Sequence, residues 1–270
     1  TNQDIRGISS DDIGVRLANS ANATTSGDIT CKYLDLLSSS TGTFTIDGET
    51  VTINPTGGYL EMDGGDLTVS SGSLIINSTG TTTNELDAGT LTVSGGTVTF
   101  TGNNSTNTGG DFNIDGGTLT VSSGSISIND QLLVGSGTIN QTGGAIYVDA
   151  GTNNLNGTGG NKFDMATGSL NLSGGTLYSQ SQASSDHKCI NIASGVSASI
   201  GSGHTFDIGT NSTAKNMYFN FGGHSIGNLT VNLPAKGAYL SEDLNIQGNV
   251  NIIDGSLIVD TYNPSVAGST

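Results

Sequence analysis

Four aspartates occupy equivalent places in a repeated sequence pattern and could bind a cation together. Asp63, Asp87, Asp115 and Asp149 each follow an apolar residue and precede Gly or Ala. If the repeats stack as neighbouring strands, at least the first three carboxylates lie about 4.8 Å apart, where they repel unless a cation bridges them. The sequence therefore predicts a Ca²⁺ or Mg²⁺ ladder. The alternative is that Asp is a favourable turn residue before Gly.

The three histidines form a second candidate metal site. His204 and His224 stand in matching positions, Gly-His-Thr-Phe and Gly-His-Ser-Ile, twenty residues apart. His187 precedes His204 by seventeen residues, with Asp186 and Cys189 close to it in the chain. Stacked imidazoles bind transition metals. The alternative is that these are ordinary surface histidines of a repeat.

Adjacent acids raise the question of a polysaccharide-degrading enzyme. They occur at Asp11-Asp12 and Glu242-Asp243, but adjacent residues of a strand point to opposite faces. A carbohydrate site also favours aromatic platforms, and the chain has no Trp and only 5% aromatic residues. We therefore expect no catalytic site and no cofactor besides the cation of the aspartate ladder. A carbohydrate-binding or polysaccharide-degrading β-helix remains the alternative.

Threonine alternates with an apolar residue in four triplets, which gives ice binding as a second alternative. The triplets are Thr50–Thr52, Thr90–Thr92, Thr97–Thr99 and Thr118–Thr120. Flat ranks of threonine can order water, but the sequence does not assign the triplets to a single face. A solvated strand is the ordinary place for Thr.

A sequence repeat positions all these residues. The unit that begins Met62-Asp63-Gly64-Gly65 recurs from Leu86, Ile114 and Met165. Its anchor leucines lie 24, 28 and 51 residues apart, at Leu67, Leu91, Leu119 and Leu170. Within the unit, apolar residues recur every seven positions, at Phe112, Leu119, Ile126 and Leu133. Because Gly and β-branched residues separate the anchors, a coiled coil is excluded.

What remains is a short strand followed by a Gly-rich corner, three times per coil. The sequence therefore predicts an all-β chain, a right-handed parallel β-helix of roughly ten coils of about 20–28 residues with three faces. Alternation places residues such as Leu67 and Val69 inward and the intervening Thr and Ser in water.

The predicted organisation has five parts. They are an N-terminal cap or assembly segment (1–40), a regular solenoid (41–178), a loop (179–188), a continued variant solenoid (189–260) and a polar tail (261–270). A cap is expected because an exposed first coil presents open strand edges. A second loop is expected at 209–216.

Composition excludes several classes of function. Seven Lys plus Arg stand against 23 Asp plus Glu, for a net charge of -16, so no basic surface is available for nucleic acid. From Tyr33 to Asn161 there is no Lys, Arg or His. No apolar run approaches the length of a membrane span. Neither a signal peptide nor an initiator Met is visible at Thr1, which indicates a processed chain or a fragment.

The run Gly-Gly-Thr-Leu-Thr-Val-Ser-Ser-Gly-Ser-Ile-Ser-Ile, at Gly116 to Ile128, resembles the repeats of Gram-negative surface adhesins. The likeness is to Bacteroidota-like surface proteins and, more distantly, to autotransporter passenger domains. By pattern it covers residues 41 to 260. It implies a β-helix on a cell exterior, and no catalytic residues carry over from it.

These features predict an extracellular or cell-surface protein with a structural or adhesive role. Each terminal coil exposes unpaired backbone groups over an apolar core, so we expect end-to-end self-association into a fibre. Asp4–Ile8 is the segment predicted to add a strand to the open coil Leu244–Val259 of the next subunit. The alternative is a fragment whose missing next coil covers that surface. Surface glycans and a host or neighbouring cell surface are further expected partners.

The two cysteines are predicted to be separated by several coils. Cys31 and Cys189 should then lie about 30 Å apart, well beyond the limit of about 7 Å between Cα atoms for a disulfide. We expect either two buried thiols or pairing between chains.

Overall fold

Alternating apolar and hydroxyl residues form short strands whose apolar side chains all point to one side. In the strand Thr90–Val93, Leu91 and Val93 are fully buried, whereas Thr90 and Thr92 are partly exposed. The computed structural model describes residues 3–5, 14–54, 58–78, 83–101, 110–150, 162–180, 187–209, 216–259, 262 and 264–267. In these residues there is no helix, and every pairing between strands is parallel and joins adjacent coils.

Three faces follow one another around each coil. Face 1 is a sheet of nine strands in the described chain. They are β1 (Gln3–Ile5), β3 (Ala23–Thr25), β6 (Thr43–Ile46), β9 (Asp66–Val69), β12 (Thr90–Val93), β15 (Thr118–Val121), β18 (Thr138–Gln141), β21 (Ser169–Leu172) and β24 (Ser197–Ile200).

Face 2 comes after face 1 in each coil. Its strands are β4 (Ile29–Cys31), β7 (Thr50–Ile53), β10 (Ser73–Ile76), β13 (Thr97–Phe100), β16 (Ser125–Ile128), β19 (Ala145–Val148), β22 (Thr176–Ser179) and β25 (Thr205–Ile208). The N-terminal parts of two long strands, β27 (Asn228–Leu240) and β29 (Val250–Ile258), extend this face.

Face 3 closes the coil. Its strands are β2 (Val15–Leu17), β5 (Tyr33–Leu36), β8 (Tyr59–Met62), β11 (Asn84–Leu86), β14 (Phe112–Ile114), β17 (Leu132–Val134), β20 (Phe163–Met165), β23 (His187–Ile192) and β26 (Met217–Asn220). The C-terminal parts of β27 and β29 complete it. A further pair joins β28 (Asn245–Ile246) to β30 (Ser265–Val266).

The predicted parallel β-helix is confirmed. The core lies inside the three faces as columns of stacked side chains, one per coil, and most of these side chains are fully buried. One column on face 1 runs through Phe44, Leu67, Leu91 and Leu119. Burying such apolar columns is the main favourable contribution to the stability of the fold.

The seven-residue period predicts that Leu133 points into the core, and this prediction is wrong. Leu132 and Val134 are the buried residues of β17, and Leu133 between them points outward. The corner between Ile128 and Leu132 is one residue too short to keep the period, so every side chain of β17 changes face relative to the prediction.

Several boundaries differ from those predicted. Coils begin with Gln3–Ile5 on face 1 and Val15–Leu17 on face 3, inside the segment 1–40 for which the sequence predicts a cap or assembly role. Most of the predicted loops at 179–188 and 209–216 lies outside the described residues. Within the predicted tail, Ser265–Val266 forms the short strand β30.

The predicted donated strand finds a partner in its own chain. Gln3–Ile5 pairs in parallel with Ala23–Thr25. Part of the segment Asp4–Ile8 therefore already belongs to the first strand of face 1. Arg6 and the residues that follow it to Ile13 lie outside the described residues.

Both cysteines are buried free thiols, which confirms one of the two predicted alternatives. Burial raises the pKa of Cys31 to about 11 and that of Cys189 to about 12. The thiolate is the form that binds metals and attacks electrophiles. Cys31 and Cys189 therefore act as small apolar residues of the core.

Candidate functional site

An acidic ladder runs along face 3, and it contains three of the four predicted aspartates. Asp63, Asp87 and Asp115 stand immediately after β8, β11 and β14. Their amides donate to Leu36, Met62 and Leu86 of the preceding coils. The three side chains thus follow one another on consecutive coils, as predicted. A second column beside them consists of Asp35, Glu61 and Glu85, the outward residues of β5, β8 and β11.

Burial and mutual repulsion both raise pKa values within this acidic ladder. Partial burial, and then Asp63, Asp35 and Glu85, raise the pKa of Glu61. Partial burial, and then Glu85, Asp115 and Asp63, likewise raise the pKa of Asp87. At the N-terminal end of the ladder, Arg16 Nε lies 2.7 Å from Asp35 Oδ2 and forms an ion pair with it.

Within the described residues, no three His, Cys, Asp or Glu side chains converge so that they could hold a metal ion. The acidic ladder is therefore a stack without a closed coordination cage, and binding of Ca²⁺ or Mg²⁺ to it stays a prediction. Asp149 does not join the ladder, because it follows β19 on face 2 and not a strand of face 3.

A buried ionic cluster surrounds Lys162 at the corner between faces 2 and 3. Lys162 Nζ lies 2.6 Å from Asp130 Oδ1 and 3.8 Å from Asp149 Oδ1, and its side chain is only 2% exposed. Asp111 is also buried, and its Oδ1 accepts a hydrogen bond from the Gln131 amide at 3.0 Å. Burial, and then the charge of Asp130, raise the pKa of Asp111 to about 7.

The sequence prediction missed this cluster, although two signals of it exist. Lys162 is the first basic residue after Lys32. Asp111, Asp130 and Asp149 are spaced nineteen residues apart, close to one coil. The four residues hold a corner together, because a buried cation requires paired anions.

We expect Asp111→Asn to stabilise the protein at pH 8 and to have little effect near pH 4. The folded-state pKa of about 7 lies above the ordinary value of 3.8, so the folded chain binds this proton more tightly than the unfolded chain. Stability from this group is therefore lost as pH rises from about 4 to about 7. Asn keeps the acceptor for Gln131 and removes the charge, a gain on the order of 2 kcal/mol at pH 8.

Urea unfolding of wild type and variant at both pH values measures the effect. Asp28→Asn is the matched control, because Asp28 is exposed and its Oδ1 also accepts a backbone hydrogen bond, from Thr50 at 2.8 Å. An Asp111→Asn gain that is the same at pH 4 and pH 8 would contradict the assignment.

The two matching histidines have different environments. His204 is fully buried, and its Nε2 lies 3.1 Å from Gln141 Oε1. Burial lowers the pKa of His204 to about 4. His224 Nε2 instead lies 3.3 Å from the Ala193 carbonyl. The side chain of His187 and all of Asp186 lie outside the described residues.

Three outward tyrosine pairs are the aromatic features closest to a sugar-binding platform. Tyr33 stacks on Tyr59, Tyr147 on Tyr178 and Tyr218 on Tyr239, with ring centroids 5.5, 4.6 and 4.8 Å apart. In each pair the rings are nearly parallel and turn faces toward each other. Stacking covers one face of each ring and joins adjacent coils.

The adjacent acids also have structural roles where they are described. The Glu242 carboxylate accepts hydrogen bonds from the amides of Phe221 and Gly223, the second at 2.7 Å, and so closes a corner. Asp11 and Asp12 lie outside the described residues.

No family model, curated protein or solved structure matches the chain. The resemblance to Gram-negative surface adhesins therefore stays a prediction from the repeat sequence. In the described part of the chain, no helix has the length and apolar character needed to cross a membrane.

Proposed function

We propose that this protein is a structural or adhesive solenoid of an extracellular or cell-surface assembly, and that it joins end to end with copies of itself. The observation that carries this proposal is the open C-terminal coil. The strand β29 pairs on one side with β27, and no described strand pairs with its other edge. Ile252 and Ile253 of this strand are 49% and 61% exposed.

The open coil continues the apolar columns of the core. Ile252 stacks on Val231, which in turn follows Ile208. Val250 and Leu257 pack against the core and are only partly buried. Among the described residues, this edge therefore combines exposed apolar side chains with a strand that has no partner, which favours addition of another parallel coil.

The N-terminal coil of a second copy is suited to pair with the open C-terminal coil. Val15–Leu17 and Ile29–Cys31 each pair with one described strand, on the C-terminal side, and they belong to the same two faces as β29. A copy added head to tail would keep strands parallel and faces aligned. Charge favours the same contact, because Arg16, half exposed, would approach the exposed Asp254.

Head-to-tail contact joins two different surfaces along the axis of the solenoid, so a stack of copies stays open and does not close into a ring. A dimer formed this way still has one free end of each kind. The expected product is therefore a fibre whose lateral faces remain available for adhesion.

We expect the double variant Ile252→Lys with Ile253→Lys to prevent this assembly. Wild-type protein should form concentration-dependent oligomers in sedimentation velocity and rods in electron micrographs. The variant should stay monomeric, because two ammonium groups would have to be desolvated in the joint.

The matched control is Leu133→Lys, which replaces an outward apolar residue on the side of the solenoid and should leave assembly unchanged. Wild-type protein that remains monomeric at every concentration would refute the proposal. So would fibres that the double variant forms equally well.

A further inference from the structure

Face 1 carries two straight ranks of outward residues, in register from coil to coil. The first rank passes through Thr43, Asp66, Thr90, Thr118 and Thr138. The second passes through Thr24, Thr45, Thr68, Thr92 and Thr120. Nine of these ten positions are threonine. The sequence alone did not show that these threonines lie on one face.

Toward the C-terminus the ranks continue with small polar residues. Ser169 and Ser197 extend the first rank, and Asn140, Asn171 and Ser199 extend the second. Asn171 Nδ2 donates to Asn140 Oδ1 at 2.9 Å, which keeps these two amides in line. In the described strands, two ionisable residues stand in these ranks: Asp66 in the first, and Asp4, in register with Thr24, at the N-terminal end of the second.

The other two faces lack this uniformity. On face 2 one outward column also carries hydroxyl residues, through Thr50, Ser73, Thr97 and Ser125. The other outward column of face 2 contains Ile75, Tyr147, Tyr178 and Asp207. The outward column of face 3 begins with Arg16, Asp35, Glu61 and Glu85. In the described coils, two adjacent hydroxyl ranks are thus found on face 1, whereas face 2 has a single one.

The spacing of the array is fixed in two directions. Successive coils are about 4.8 Å apart, and the two ranks, two residues apart along a strand, are separated by about 6.6 Å. Threonine is β-branched, so its side chain holds few rotamers and loses little entropy when it is ordered. Each threonine offers a hydroxyl group that can form a hydrogen bond with water and a methyl group that cannot.

We propose that face 1 binds crystalline water, with its threonine ranks holding a layer of water molecules that joins an ice surface. A periodic ligand is indicated because the array itself is periodic over at least five coils. A bound water layer preserves hydrogen bonding at small cost per molecule. Ice suits this face better than a crystalline polysaccharide does, because neither rank contains an aromatic ring on which a sugar could stack.

The proposal is independent of end-to-end assembly, since it concerns a lateral face. Purified protein should show thermal hysteresis and should inhibit ice recrystallisation. The double variant Thr92→Lys with Thr120→Lys should lose both activities, because two long charged side chains would interrupt the second rank on consecutive coils. Circular dichroism and the melting temperature check that the variant remains folded.

The matched control is the double variant Thr99→Lys with Ser127→Lys. These residues also lie outward on consecutive coils, but on face 2, and ice activity should be retained. Absence of both activities in the wild type would overturn the proposal. Equal loss in the two double variants would also overturn it. Binding to insoluble cellulose or chitin without ice activity, lost with Thr92→Lys and Thr120→Lys, would overturn it in favour of a polysaccharide ligand.

Discussion

Lys162→Met should destabilise the protein by about 3–5 kcal/mol, the usual cost of removing one partner from a buried ion pair. Lys162 is 2% exposed and lies between Asp130 and Asp149. Without the ammonium group, Asp111, Asp130 and Asp149 would be left close together with no cation. Chemical unfolding followed by circular dichroism measures the loss.

Two further variants separate lost charge from lost packing. Lys188→Met changes an exposed lysine on the adjacent coil and should shift stability by less than about 0.5 kcal/mol. Adding Asp130→Asn and Asp111→Asn to Lys162→Met should recover much of the loss, since removing both signs of a buried charge pair is often nearly neutral. If Lys162→Met costs no more than Lys188→Met, the cluster has no structural role.

Gly89→Ala should cost about 3 kcal/mol or more, combining backbone strain with a steric clash. Gly89 stands at the corner before β12 with φ +74, and an added Cβ would lie 1.8 Å from the Gly65 carbonyl oxygen of the preceding coil. Since that oxygen accepts the Thr90 amide, relief of the clash would disturb the pairing of the two coils.

Gly48→Ala is the control for the strain alone. Gly48 also has a positive φ, +84, but nothing lies within 4 Å of an added Cβ. Its substitution should cost about 1 kcal/mol, the usual penalty for the left-handed conformation. Melting temperatures of the two variants test the difference. Equal shifts would mean that close packing of the corners contributes nothing.

The sequence predicts the fold because its period is strong. Alternation in segments such as Leu67-Thr68-Val69 distinguishes inside from outside, and glycines mark the corners. The prediction fails where a corner changes length, since a shift of one residue turns Leu133 outward and buries Leu132 and Val134. Local pattern determines that a strand forms, whereas its facing depends on the residues counted around the preceding corner.

The same limitation explains which candidate residues were placed correctly. Asp63, Asp87 and Asp115 stack as predicted because all three follow strands of face 3. Asp149 has a similar local sequence but follows a strand of face 2. Its partner Lys162 follows a long segment that obscures the coil period, so the pairing could not be derived from spacing alone.

The direction of the hydrogen bonds has a mechanical consequence. In a parallel solenoid, the bonds between coils run along the long axis, as from Thr90 to Gly65 and from Thr118 to Gly89. Tension on the two ends would therefore act along the hydrogen bonds that join one coil to the next. The coils would separate one after another. A released coil of about 20 residues would add up to roughly 66 Å of extended chain, which would make such a fibre extensible as well as strong.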